Sequence, residues 1–182
     1  MPFSSSIIAS LVNNILFFSV LSITSFSQIP RNAIGLRSDF PGQITRAGIE
    51  VSYQDRITDV VRIELGLGLQ RAIYSTKYAN FVTTVQGVWN LKEGLNWYIG
   101  IGFQVGYFEF ERENDDTTYL VSGFGGGIPI QLGLEYNFTD LDLPFLLSLE
   151  TRPLTPLVND FTETSIGVGF AFALRYIINN ED

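Results

Sequence analysis

The sequence predicts an all-β protein, an eight-stranded antiparallel up-and-down barrel that spans a membrane. Bulky apolar side chains alternate with small or polar ones through about 140 residues, as they do when a strand points successive side chains to opposite faces. Polar turn segments divide this alternation into eight runs. Within the runs, charged residues fall on the small face, and aromatic residues of the bulky face gather beside the short turns. Such a pattern suits a wall between lipid and a narrow polar interior.

The N-terminal segment has the features of a secretory signal peptide. Residues 7–23 are mostly apolar, and Ser25 and Ser27 place small residues at the −3 and −1 positions of a cleavage site before Gln28. An uncleaved membrane anchor is the alternative, and the polar residues Asn13 and Asn14 within the apolar run argue against it. We therefore expect a signal peptide at residues 1–27 and a single barrel domain at residues 28–182.

The eight strands follow one another without a linker or a helical pattern. We predict them at residues 32–38, 46–54, 60–71, 80–91, 95–111, 119–138, 145–154 and 165–178. Most reach the roughly 9–11 residues that a tilted strand needs to cross a bilayer. The connections at 55–59, 92–94 and 139–144 are short, and the others are mostly longer. This alternation is typical of outer-membrane barrels, whose short turns face the periplasm and whose long loops lie outside.

The two faces of each strand differ in a way that decides which one points inward. The third strand has an apolar face with Val61, Leu65 and Leu67, and a second face with Arg62 and Glu64. A soluble ligand-binding barrel, the alternative fold, would have to fill its interior with the apolar set. Because charged residues make a poor apolar core and the other face carries almost no charge, we predict apolar side chains toward lipid.

Aromatic residues of the outward face provide a second indication. Rings with a polar edge favour the membrane interface and form girdles there. We expect one girdle next to the short turns, formed by Tyr53, Trp89, Trp97, Tyr136, Phe138, Phe145 and Tyr176.

Three segments and the aromatic last strand resemble a known family. The segments are Asn32-Ala33-Ile34-Gly35-Leu36-Arg37, residues 94–100 (Gly-Leu-Asn-Trp-Tyr-Ile-Gly) and residues 133–138 (Gly-Leu-Glu-Tyr-Asn-Phe). The chain resembles the small eight-stranded outer-membrane β-barrel proteins of diderm bacteria over nearly all of residues 30–178. The resemblance implies a location in the bacterial outer membrane, contact with outer-membrane lipids and insertion by the barrel-assembly machinery.

The inward face carries four positive and four negative residues, which we predict to form a charge network in the lumen. They are Arg37, Glu50, Arg62, Glu64, Glu135, Glu150, Arg152 and Arg175. Charges inside a narrow tube are tolerated when they are paired and hydrogen-bonded. A structural plug is the favoured interpretation, and a gated ion path is the alternative.

Proline placement predicts an irregular region in the wall. Pro129 lies within the sixth strand and, across the 139–144 turn, roughly opposite Leu154. Proline donates no ladder hydrogen bond, and a closed barrel has no free edge to accommodate it. We therefore predict a bulge or weakened seam between the sixth and seventh strands, at Gly127, Pro129 and Pro153. Such a seam either shapes the rim or opens laterally for an apolar or lipid ligand.

Composition excludes several functions. With 182 residues and a net charge of −8, the chain lacks the basic clusters that nucleic-acid binding requires. It has no Cys and no His. Some barrels of this size are lipid-modifying enzymes, and the resemblance implies that these enzymes use an active-site His, which this chain lacks. We expect no catalytic residues, metal or cofactor. The predicted protein is non-enzymatic, with a plugged polar lumen and external loops that make surface or envelope contacts with a ligand that the sequence does not identify. A narrow pore or lateral conduit is the alternative.

Overall fold

The computed structural model describes residues 29–40, 46–72, 77–114, 117–157 and 169–179. In these ranges the chain forms nine strands and a short 3-10 helix, Phe138–Leu141. The strands are β1 (Asn32–Phe40), β2 (Arg46–Thr58), β3 (Val61–Ala72), β4 (Lys77–Lys92), β5 (Leu95–Asn114), β6 (Thr117–Asn137), β7 (Phe145–Thr151), β8 (Leu154–Pro156) and β9 (Phe170–Asn179). Among the described residues, no helix has the length and apolar character needed to cross a membrane.

The strands form a closed antiparallel ring. Each strand from β1 to β6 pairs with the next, β6 pairs with both β7 and β8, and β9 joins β7 to β1. Since β7 and β8 are two parts of one wall position, the ring has eight positions. The predicted eight-stranded antiparallel barrel is therefore confirmed.

Short turns join the strands at one end of the barrel. Two-residue turns connect β2 to β3 and β4 to β5, with Gly94 at a φ of +71°. The 3-10 helix follows β6, and its capping residue Asn137 accepts a hydrogen bond at Oδ1 from the Thr139 N–H at 3.0 Å. Phe138, predicted to end a strand, therefore lies in this helix instead. We call this end of the barrel the inner end.

Several strands are longer than predicted, because hairpin pairing continues beyond the alternating apolar segments on which the prediction was based. β5 and β6 remain paired out to Asn114 and Thr117. The predicted signal peptide and the start of the predicted last strand, residues 165–168, lie outside the described residues.

Exposure alternates along the strands as the two faces require. Leu67 and Leu69 on β3 are 65% and 71% exposed, whereas Arg62 and Glu64 on the other face are each 1% exposed. The barrel thus has an apolar outer surface and a polar, charged interior, as predicted.

Candidate functional site: the charged lumen

All eight predicted lumen charges lie inside the barrel, with side chains that are at most 5% exposed. Period-two alternation brings them inward from the separate strands. β1 supplies Arg37, β2 supplies Glu50, β3 supplies Arg62 and Glu64, β6 supplies Glu135, β7 supplies Glu150, the β7–β8 break supplies Arg152, and β9 supplies Arg175.

Six of these side chains interlock in a central cluster. The Arg37 guanidinium donates to Glu150, Arg152 lies 2.9 Å from a Glu50 oxygen, and Arg175 lies 2.6 Å from a Glu64 oxygen. Longer contacts join these three pairs, since Glu150 also lies 3.6 Å from both Arg152 and Arg175. Each arginine therefore faces more than one carboxylate, which offsets the cost of removing these charges from water.

Arg62 and Glu135 form a second pair at 2.9 Å, with both side chains 1% exposed. Arg62 Nε donates to Gln86 Oε1 at 2.6 Å, and its guanidinium carbon lies 4.8 Å from the centre of the Tyr98 ring. Arg62 Nη2 and Glu135 Oε2 have no hydrogen-bond partner within the described part of the chain. This pair is connected to the central cluster through Gln86, which donates to Glu64.

Uncharged side chains that were not predicted as site residues also belong to the network. Gln131 donates to Glu64 at 3.2 Å and to Glu150 at 3.0 Å, so its amide bridges two carboxylates. The Tyr98 hydroxyl donates to Glu150, and Arg175 donates to Ser52 and Ser148. The same alternation that placed the charges would have identified these residues, because each occupies an inward position on its strand.

Glycines on neighbouring strands make room for the large inward side chains. A Cβ atom at Gly133 would lie 2.4 Å from Cζ of Tyr98, and one at Gly106 would lie 2.4 Å from the Tyr78 ring. Since real Cβ contacts are longer, each ring lies across the space that a side chain would fill. The small residues of the alternation thus shape the lumen.

The predicted girdle residues lie on the outer surface close to the inner end. Trp89 and Trp97 are cross-strand partners that stack with ring centres 4.7 Å apart. Edge-to-face contacts join Tyr136 with Phe138, and Phe145 with Tyr176. Tyr53 is partly exposed on β2, opposite Leu65.

The wall around Pro129 keeps its register although its ladder is interrupted. Pro129 lies opposite Leu154, as predicted. Leu132 pairs with Thr151, three residues further along each strand, so no extra residue is inserted. Of the predicted bulge or weakened seam, the bulge is therefore absent. The partner strand is broken between β7 and β8 at Arg152 and Pro153. The Pro153 carbonyl still accepts a hydrogen bond from the Ile130 N–H at 2.9 Å.

Pairing with the other neighbour, β5, is interrupted as well. Ile101 pairs with Ile130 and Gln104 with Gly127, again without a shift in register. Each gap contains a proline, which supplies no N–H to a ladder. Pro129 lies in the gap on the β5 side, and Pro153 lies in the gap on the β7 side. Whether Gly127, Pro129 and Pro153 form a lateral seam stays a prediction.

The geometry of the acidic residues favours structure over catalysis. Glu135 and Glu150 each contact an arginine, whereas a general acid needs a proton to give. Within the described residues, no group of three or more His, Cys, Asp or Glu side chains is placed to hold a metal ion.

Comparisons with known proteins connect this architecture to membrane barrels. No protein-family model matches the sequence, and no curated protein matches it. Among solved structures, the N-terminal β-barrel domain of Pseudomonas aeruginosa OprF matches with a TM-score of 0.55 and 15% identity, over 81% of this chain and 98% of that one. Neisserial surface protein A matches with a TM-score of 0.53 and 9% identity, over 81% and 95% of the two chains. A de novo designed transmembrane β-barrel matches with a TM-score of 0.50 and 13% identity, over 82% and 98%. This chain therefore has the fold of the small eight-stranded transmembrane β-barrels.

Proposed function

We propose that this chain is a non-enzymatic protein of the bacterial outer membrane whose lumen is plugged and whose external loops make contacts at the cell surface or envelope. Its outer surface supports the membrane location. Large apolar side chains such as Leu36, Ile101 and Leu174 are each more than half exposed, and water would make that exposure unfavourable. The partners that follow are outer-membrane lipids and the barrel-assembly machinery.

The observation that carries the proposal is the set of ion pairs that cross the lumen. Arg175 on β9 contacts Glu64 on β3, and two strands separate them along the shorter way around the ring. Arg62 on β3 likewise contacts Glu135 on β6 across two intervening strands. An eight-stranded barrel has an interior just wide enough for side chains to fill. An axial water path would therefore require these contacts to break.

The β5–β6 hairpin supports the external contacts. Its strands have 20 and 21 residues, about twice the roughly 9–11 that cross a bilayer. β4 begins at Lys77, opposite Glu109, whereas the hairpin continues to Asn114. Its pairing therefore continues past the first described residue of β4 at the end opposite the short turns, where exposed segments carry binding functions in many proteins.

Conductance across planar lipid bilayers tests the plug. We expect wild-type barrels to show no single-channel steps, because the ion pairs fill the lumen. Removing one crossing pair without changing the net charge, by Arg175→Ala with Glu64→Ala, should produce steps. The matched control removes the exposed pair of Lys77 and Glu109, whose atoms lie 3.1 Å apart at the rim, and should stay silent. Regular steps from the wild-type barrel would contradict a plugged lumen.

A lateral conduit for small apolar or lipid ligands is the second candidate, favoured by the interrupted ladders on both sides of Pro129. Because the chain has no Cys, the seam can be locked with a disulfide between the cross-strand partners Ile128 and Thr155, each changed to Cys. If the seam conducts, oxidation should block transfer of a fluorescent fatty acid through liposome-inserted barrels, and reduction should restore it. Equal transfer in both states, or none in either, would exclude the conduit.

A further inference from the structure

The segment immediately before β1 enters the lumen and reaches its far wall. Ile29, three residues before Asn32, is 3% exposed and packs against Val88 and Tyr98. These two residues are cross-strand partners on β4 and β5 and face inward. In the ring, β5 lies opposite β1, with three wall positions between them in either direction. Ile29 therefore reaches the opposite side of the barrel from the strand that it precedes.

The reach agrees with the dimensions of the chain. Three extended residues span at most about 10–11 Å, and the interior of an eight-stranded barrel is only wide enough for side chains. Since β1 starts at the inner end, where Asn32 pairs with Asp55, the segment crosses the inner mouth.

Arg56 on β2 holds this segment in position. Its Nη1 atom donates to the Ile29 carbonyl at 3.1 Å, and its backbone N–H donates to the Arg31 carbonyl at 2.9 Å. Pro30, which is also buried, brings no N–H that would need a partner. The carbonyls on either side of Pro30, those of Ile29 and Arg31, thus both accept a hydrogen bond from Arg56.

The contact surface for Ile29 lies next to the charge network. The Tyr98 ring that Ile29 contacts also stacks near the Arg62 guanidinium, and its hydroxyl donates to Glu150. Ile29 and Val88, at 3% and 0% exposure, place apolar atoms against this ring. Water entering from the inner mouth would have to displace this contact before reaching the charges.

We propose that Ile29 and Pro30 form an apolar stopper that seals the inner mouth, separately from the charge network. This inference deepens the proposed function and rests on it only for the statement that the inner mouth faces the periplasm. The stopper accounts for the burial of Val88, which lies only four residues from the end of β4.

Thiol labelling measures the seal directly, because the natural chain contains no Cys. A Val88→Cys barrel is refolded in detergent and treated with a bulky, charged thiol reagent. With Ile29 present, we expect slow labelling. Ile29→Gly should raise the labelling rate about tenfold or more, which corresponds to about 1.4 kcal/mol of lost closure. Ile29→Val should stay slow, and Arg56→Ala should give an intermediate rate because it removes one hydrogen bond to the segment.

An exposed reporter provides the control for reagent and folding. Ile57→Cys, at a position 58% exposed beside the β2–β3 turn, should label at the same rate whether residue 29 is Ile or Gly. If Ile29→Gly does not refold, as judged by its mobility on gels before and after heating, the Arg56→Ala comparison decides. Fast labelling at position 88 with Ile29 present, or an unchanged rate in the folded variants, would overturn the stopper. Conductance of the wild-type barrel tests the charge network, so failure of the plug and failure of the stopper give different results.

Discussion

Glu135→Ala tests whether the lumen is dry enough to make its charges interdependent. Glu135 and Arg62 are each 1% exposed and 2.9 Å apart, and Glu135 is the carboxylate that Arg62 contacts within the described chain. Removing one partner of a buried pair leaves the other charge without compensation, which costs about 3–5 kcal/mol. Gln86 and the Tyr98 ring would still contact Arg62, but neither carries a negative charge. We therefore expect a loss of about 3–5 kcal/mol in the free energy of unfolding.

Two further variants separate charge from packing. Replacing both partners with Leu should leave the barrel within about 2 kcal/mol of wild type, because apolar replacement of a buried pair is often neutral or stabilising. Any stabilisation from the apolar pair is partly offset, because Gln86 Oε1 loses its hydrogen-bond donor. Leaving that buried acceptor without a partner costs about 1–3 kcal/mol. Lys77→Ala breaks an exposed pair and should cost at most about 1 kcal/mol.

Urea unfolding of the barrel in lipid vesicles measures these values. The chain has two Trp residues, Trp89 and Trp97, which stack on the outer surface, so their fluorescence reports the loss of the wall. A loss below about 1 kcal/mol for Glu135→Ala, similar to that of Lys77→Ala, would refute the argument. It would mean that water reaches Arg62 in the folded barrel and that the lumen is hydrated at this level.

Two further predictions concern the wall. Leu67→Lys places a charge on the outward face near the middle of β3, at a position that is 65% exposed. It should destabilise the vesicle-inserted barrel by about 2–4 kcal/mol. The control, Leu91→Lys beside the β4–β5 turn, should cost about 0–1 kcal/mol. Equal costs would place the lipid band elsewhere. Gly133→Ala brings a Cβ to 2.4 Å from the Tyr98 ring and should cost about 1–3 kcal/mol of stability by overpacking. The same change made in a Tyr98→Ala background should cost almost nothing further. A similar cost in both backgrounds, measured by the same unfolding assay, would show that the strand and not the ring resists the added methyl group.

Most of the fold follows from local rules, and alternation with period two is the main reason. From the sequence alone it assigns Arg62 and Glu64 to the interior and Leu65 and Leu67 to the exterior, because successive side chains must point in opposite directions. Register across a short turn is equally predictable, and it correctly places Pro129 opposite Leu154. Of the predicted bulge or weakened seam, the bulge is absent, because interrupting a hydrogen-bond ladder does not require an extra residue.

Choice of partners inside the lumen does not follow from such rules. Arg62 pairs with Glu135, 73 residues away, and not with Glu64 two positions along its own strand. Ring closure and the tilt of the strands decide which long side chains meet across the lumen. The same limit applies to Ile29, whose contact with Val88 and Tyr98 depends on a chain segment that has no periodic pattern of its own.

Glycines and charges on the inward face belong to one packing arrangement, and this bears on the choice between an axial pore and a lateral conduit. A Cβ at Gly100 would lie 2.8 Å from Cγ of Gln86, and a Cβ at Gly66 would lie 2.5 Å from Oε1 of Glu50. The long side chains therefore already occupy the space that the glycines leave. An axial opening must move several of these side chains out of that space and break their ion pairs at the same time. A lateral opening between β6 and the β7–β8 side would start from a ladder that is already interrupted at Arg152 and Pro153. A path along the axis therefore has to break ion pairs that cross the lumen, whereas a path through the wall has to separate the backbone pairs on either side of the break at Arg152 and Pro153.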